Sequence, residues 1–342
     1  MKTINSFFKK LIFIFWLTIL ISCSPQPKNE VIIYTSLDQV YSEPILQDFE
    51  KKTGIKVRAV YDVESTKTTG LVNRLIAEKS HPQADVFWNS EIARTLVLKN
   101  QKILTPYFSD NAREIPQQFK DREGYWTGFS VRARVLIYNK QLLKETDLPQ
   151  SIFELTQPKW KGKVTLAYPL FGTTSAQAAS LFASMGDEAA EKFFRDLKSN
   201  NVIIVDGNTT SRDMVQNGTA PIGFTDSDDA HVALMNQKPV GIIYPDQGSD
   251  QIGTFVYPNT VSLIKNAPHP DNGKKLIDYL LSKDVESKLA FADCAQIPLR
   301  DDVKKPDSIR SYQHIKSMSI NYKAVADKIE HTNKILQEIF VR

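Results

Sequence analysis

Between Val31 and Glu91 the chain repeats one pattern three times: an apolar strand, a small polar tip, then an amphipathic helix. The strand segments begin at Val31, Val57 and Ala84, and they end in Thr35-Ser36, in Asp62 with Ser65-Thr66, and in Asn89-Ser90. Strand–helix alternation predicts an α/β fold with a parallel sheet. In such a sheet, ligands sit outside the carboxyl ends of the strands, where helix N-termini also point. Polar tips gathered at that edge predict a cleft for a small molecule.

The first 22 residues read as a targeting segment. Lys2, Lys9 and Lys10 precede an apolar run from Leu11 to Ile21, too short for a membrane span of about 20 residues. Leu20-Ile21-Ser22-Cys23 matches a bacterial lipobox, which makes Cys23 the acylated N-terminus and residues 23–30 a tether. An ordinary signal peptide with an incidental cysteine is the alternative. Export lowers the formal charge from +4 to +1, because three lysines leave with no acid. That balance gives no support to a nucleic-acid partner. Cys294 is the only other cysteine. It is expected to be a small buried residue, and the count excludes a CxxC or an iron–sulfur site.

About 320 residues remain after the signal, more than one core holds comfortably, so two lobes are expected. Residues 31–130 with 255–305 form the first, 131–254 the second, and 306–342 a helical tail. Helices are expected over Val40–Lys52, stopped by Gly54, and over Ser65–Lys79. Others are expected over Glu91–Lys99, Thr173–Met185, Asp187–Ser199 and Met318–Phe340. The aromatic and β-branched run from Tyr125 to Asn139 reads as a strand crossing between lobes, with Thr254–Lys265 as the return.

At this point the motifs resemble a known family. Ile33-Tyr-Thr-Ser36, Ala84-Asp-Val-Phe-Trp88 and the segment Gly124–Asn139 are its marks, with Pro158-Lys-Trp-Lys-Gly-Lys-Val164, Gly253–Asn259 and Ala267-Pro-His-Pro270. Together they resemble the substrate-binding proteins of ABC importers, in the extracellular group that includes ferric-ion, thiamine, phosphonate and sugar-phosphate binders. The resemblance implies a two-lobed, type II periplasmic-binding-protein-like α/β fold closing about crossing strands. It also implies delivery of ligand to permease subunits from a monomeric receptor outside the cytoplasm. Ferric binders of that group usually carry adjacent tyrosines where this chain has Thr225-Asp226, which argues against tyrosine-held iron. Iron held by carboxylates and a synergistic anion stays open, and no metal ligand is assigned.

The residues themselves give a candidate pocket. Ser65-Thr66 and Gly172-Thr173-Thr174 open two helices with hydroxyls and free N–H groups, a ready anion site, although these residues also suit simple capping. Arg132 and Arg134 lie two apart on one strand, hence on one side, and form either a guanidinium clamp for an anion or ion pairs. Thr225 and Asp226 face that region, while Asp228 and Asp229 read as first-turn acids favoured by the helix dipole. Ser36, Asn89, Glu91 and Asn208 are tip residues able to hydrogen-bond a ligand.

Enzyme signatures are missing: the five histidines show no HExxH, and there is no GxSxG elbow or GxGxxG loop. The expectation is a binding protein without a resident cofactor. A secreted hydrolase or transferase on the same scaffold and a signalling receptor are the alternatives. Ranked ligands are a phosphate- or phosphonate-like anion, then ferric iron with an anion, then thiamine or another organic cation.

Overall fold

The computed structural model describes residues 29–62 and 69–341. Ser65, Thr66, Cys23 and the signal segment lie outside the described residues. The first repeat is β1 (Glu30–Thr35), α1 (Gln39–Thr53), β2 (Lys56–Tyr61), α2 (Thr69–Ala77), β3 (Val86–Asn89) and α3 (Ala93–Asn100). Gly54 ends α1 in the left-handed conformation (φ 68°), with its N–H bonded to the Glu50 carbonyl, a stop that favours glycine. A short β4 (Leu104–Thr105) follows, then the 13-residue β5 (Thr127–Asn139), buried along its whole length.

The second repeat comprises β6 (Val164–Ala167), α4 (Gly172–Met185), α5 (Asp187–Ser199), β7 (Ile203–Val205), α6 (Asn208–Gln216), β8 (Ile222–Asp226), α7 (Ser227–Met235) and β9 (Val240–Ile243). The chain then returns through β10 (Val256–Ile264), α8 (Pro270–Leu280), α9 (Lys283–Phe291) and the terminal α10 (Tyr322–Phe340).

Among the described residues the ten strands form a continuous path β2-β1-β3-β10-β5-β8-β6-β7, with β4 on β10 and β9 on β5. β1, β2 and β3 run parallel, as do β6, β7 and β8. One strand joins the two halves. β5 pairs antiparallel with β10 through Thr127–Ala133, then with β8 through Arg134–Tyr138. A few residues before that change of partner the β5–β10 register is irregular at Pro258/Asn259, and Ser130 adopts φ +44°, an unfavourable conformation for a non-glycine residue. Glu286 of α9 holds that kink: Oε1 accepts from the Ser130 and Leu299 N–H groups at 3.1 and 3.0 Å, and Oε2 accepts from Arg300 Nε at 2.7 Å.

Apolar side chains from both faces bury β1, β3, β6 and β8, while β2 and β7 at the two ends of the sheet are partly exposed. Trp88 and Phe129 meet at 5.5 Å beside the crossing, while Phe182, Phe193 and Phe194 fill the second half with Phe340 of α10. Gly223 has no room for a side chain, since a Cβ there would stand 1.9 Å from Thr165 Oγ1. Cys294 is buried and free.

Candidate functional site

The carboxyl ends of β1 and β3 in the first half face the N-termini of α4, α6 and α7 in the second. Between them lies a cleft of about 800 Å³, its open mouth included. The first half contributes Asp38, Tyr41 and Ser90; Arg132 rises from β5; most of the rest of the lining is the second half's loop-to-helix junctions, with Arg212 and Val232 reaching in from within α6 and α7.

Arg134 stands opposite Asp226 in the β5–β8 register and bonds it, Nη1 to Oδ1, at 2.7 Å. The same Nη1 donates to Asn208 Oδ1 at 2.8 Å, and Nε donates to Gln177 Oε1 at 3.1 Å. Asp226 Oδ2 accepts from Thr173 Oγ1 at 2.7 Å and from Asn208 Nδ2 at 2.9 Å. Thr174 adds a long contact to Asn208 at 3.5 Å. The structure thus joins Arg134, Thr173, Thr174, Asn208 and Asp226 in one buried network, with Arg134 wholly out of solvent. Burial pushes the Asp226 carboxyl up, but Arg134 and Arg132 outweigh it and hold it below the usual range.

Arg132 spans the cleft floor. It donates to the Ser90 carbonyl of the first half at 2.5 Å and to Asp228 Oδ2 of the second at 2.9 Å, with its guanidinium 5.0 Å above the Tyr257 ring. Both arginines lie on one side of β5, because each reaches Asp226, at 3.9 Å from Arg132. Their first partners are the protein's own carboxylates, an ion-paired arrangement that leaves Arg132 Nε and Arg134 Nη2 without a hydrogen bond among the described residues.

Asp226, Asp228 and Asp229 bring one carboxylate oxygen each within 4.8 Å of one another. Burial raises the Asp228 carboxyl, and it raises that of Asp229 to about 8, with Asp228 and Asp226 adding repulsion. Asp229 is braced by Thr209 Oγ1 at 3.0 Å and Arg212 at 3.3 Å. Such a group of hard oxygen donors suits a cation, whether an ammonium or a metal ion. On the same wall of the cleft, α4 begins after Phe171 and α6 after Gly207, and neither N-terminus receives a side-chain cap. Gly172 adopts φ +55° with open space where a Cβ would stand, so a ligand can approach that backbone closely. Uncapped N–H groups and the dipole end suit an oxyanion.

Ser36, Asn89 and Glu91 lie one layer behind the lining. Ser36 donates to Asn89 at 2.7 Å, Asn89 donates to Thr95 at 3.0 Å, and Glu91 accepts from the Ala93 and Arg94 N–H groups at 2.5 and 2.9 Å to cap α3. They position Ser90, whose N–H donates to Ser36 Oγ at 2.8 Å. Thr225 is also buried, and its hydroxyl donates to the Asn208 carbonyl at 3.2 Å. Asp38, Tyr168, Phe171, Asp206 and Arg212 line the cleft without having been singled out in the sequence. The signal that marked the strand tips was available for Asp38 and Asp206, each of which lies one to three residues past a strand. Nothing local distinguishes Arg212, which reaches the site from inside α6.

A two-lobed α/β receptor with its cleft at the strand ends is the class that this fold and site define. The chain belongs to the bacterial extracellular solute-binding protein family, whose model matches residues 45–317. It is 26% identical over 328 residues to iron uptake protein A1 of Synechocystis, covering 93% of this chain and 89% of that protein. It is 29% identical over 264 residues to a putative 2-aminoethylphosphonate-binding periplasmic protein of Salmonella typhimurium, covering 76% and 74%. The apo ferric ion-binding protein A of Pasteurella haemolytica superposes with a TM-score of 0.80 at 25% identity, over 91% of this chain and 98% of that one. Binding of a solute is the role the family gives this chain.

Proposed function

We propose that this protein is the lipid-anchored capture subunit of an ABC importer, and that its ligand carries an oxyanion and a positive centre together. One observation supports this above the others: the uncapped starts of α4 and α6 lie beside the carboxylates of Asp226, Asp228 and Asp229 on one wall of a single cleft, joined by the Thr173 and Asn208 bonds to Asp226. An aminoalkylphosphonate meets both requirements, with its phosphonate at Gly172, Thr173, Thr174 and Asn208, and its ammonium at the acid trio. The anchor is Cys23, the location is the outer face of the cytoplasmic membrane or the periplasm, and the working unit is a monomer that hands its cargo to permease subunits.

Residues 31–130 with 255–305 act as one jaw and 131–254 as the other, turning about β5 and β10, with residues 306–342 as a tail. Ligand held between the jaws favours the closed arrangement by its differential affinity for that state.

Ferric iron with a bound anion is the second reading. Three carboxylates in close reach and the relative named for iron uptake favour it. The ligand-stripped full chain is titrated with 2-aminoethylphosphonate, inorganic phosphate, ferric citrate and thiamine while its melting temperature is followed. A rise with 2-aminoethylphosphonate, larger than with phosphate alone, is expected. Stabilisation by ferric citrate only would replace this reading with the second, and no shift with any compound would sink both.

A further inference from the structure

The end of the molecule remote from the cleft carries an excess of unpaired positive charge. The described chain begins there at Asn29, beside Lys56, which is aligned with Glu30 in the β1–β2 register. Asn272 of α8 closes onto the same corner through the Glu30 carbonyl at 3.0 Å. Lys79, Lys102 and Lys265 line one pocket along this rim, and Lys275 is exposed on α8.

All five lysines are exposed, and none has an ion-pair partner among the described residues. The acids of the rim are already committed. Glu30 is held by Arg58 at 2.7 Å, Glu78 by Arg74 at 2.8 Å, and Asp271 by Lys274 at 3.1 Å. Asp85 is fully buried and accepts from the Ile32 N–H at 2.7 Å.

We infer that this lysine rim rests on the anionic phospholipid headgroups of the bilayer that holds the anchor. The inference builds on the lipid-anchor reading. Cys23 lies six residues before Asn29, so an extended tether spans about 20 Å at most. That reach keeps the rim within a few Debye lengths of the headgroups, where each lysine gains attraction to an anionic leaflet. In this pose the amino ends of β1, β2 and β3 face the lipid and the cleft opens away from it, free to capture solute. Docking on a permease then requires the rim to lift, a swing that the short tether permits.

The test places the full lipidated chain on phosphatidylcholine vesicles with and without phosphatidylglycerol and maps lysine accessibility by acetylation. Lys56, Lys79, Lys102, Lys265 and Lys275 are expected to be protected on anionic vesicles, to be labelled freely on neutral ones, and to lose protection in high salt. Lys159 and Lys161 of the second half serve as unprotected controls. Equal labelling of the rim on both vesicle types overturns the inference, as does protection that appears only when a permease is added.

The chain bearing Lys79→Gln, Lys102→Gln and Lys265→Gln should lose protection at the two remaining rim lysines. Its lipid-surface affinity should fall on the order of 100-fold, given about fivefold per lysine. Flotation with neutral vesicles reports the anchor separately: its absence sinks the lipidation reading, while the anionic arm still judges the rim.

Discussion

Arg134 and Asp226 face each other across β5 and β8 with a 2.7 Å ion pair whose guanidinium has no contact with solvent. Removing one member of such a buried pair leaves the other charge uncompensated, which costs about 3–5 kcal/mol. Asp226→Ala should therefore unfold at markedly lower denaturant, by about that amount, in equilibrium urea titrations. Asp226→Asn keeps the shape and two hydrogen-bonding atoms and should cost less. Equal, small losses from both would mean that Arg134 is not stranded by the change.

Glu286 makes a comparable prediction for the crossing strand. Its carboxylate accepts from the Ser130 N–H at the left-handed kink while also pairing with buried Arg300. Glu286→Ala should destabilise the protein by about 3–5 kcal/mol. The loss should be accompanied by faster amide exchange at Ser130 and Leu299. Unchanged exchange at those two amides would remove Glu286 from its role at the kink.

The Asp229 carboxyl, raised to about 8 in the folded chain, sets the sign of a pH effect. An unfolded aspartate titrates near 4, so between about pH 4 and 8 the folded state holds a proton that the unfolded state lacks. Stability from this group is present below that window, falls as pH rises through it, and is fully lost above pH 8. Asp229→Asn should flatten the slope, as seen in melting temperatures taken across the range. A slope unaltered by the substitution would place the titrating group elsewhere.

A positive ligand group at the same trio should pull that proton off. Binding near neutral pH is then expected to release a proton, detected as a dependence of the calorimetric enthalpy on the buffer's ionisation enthalpy. Binding that is independent of buffer would argue that the cationic part of the ligand sits away from Asp229.

Arg132 links the halves through Ser90 and Asp228. Arg132→Ala removes two hydrogen bonds involving a charged group, each worth about 1.5–3 kcal/mol. Ligand affinity should fall by at least tenfold, and small-angle scattering of the liganded protein should show a larger radius of gyration. A compact liganded variant would show that Arg132 is not needed for closure.

Much of this fold is legible in the sequence because its elements announce themselves locally. Gly54 and Gly186 end their helices where the hydrophobic periodicity stops, and the aromatic and β-branched residues of β5, with two arginines among them, read as a strand crossing between the lobes. The site is only partly legible. Thr173, Asn208 and Asp226 stand out as strand-end residues, but a sequence does not say which of two layers a tip residue joins. Ser36, Asn89 and Glu91 share that pattern with Ser90 yet bond one another behind it. Two arginines on one strand are equally suited to an anion or to carboxylates, and that choice is made by Asp226 at the end of β8 and Asp228 in α7, more than 90 residues further along. Asp228 and Asp229 look like helix-dipole acids until the β8 turn sets them beside Asp226.

The last helix touches both halves unequally. Tyr322 and Ala326 meet Trp126, Ile92 and Leu96 of the first half, whereas Val325, Ile329, Leu336 and Phe340 are sunk in the second half's core. Asp187 ties Lys328 and His331 to the same side. On the proposed hinge, opening of the jaws would carry the first half across the tyrosine end of α10, where the Trp126 and Tyr322 rings meet edge-on at 6.1 Å. The start of α10 would then serve as a brake pad on that motion, and substitution at this small aromatic contact would show as an altered opening angle with no change in the pocket itself.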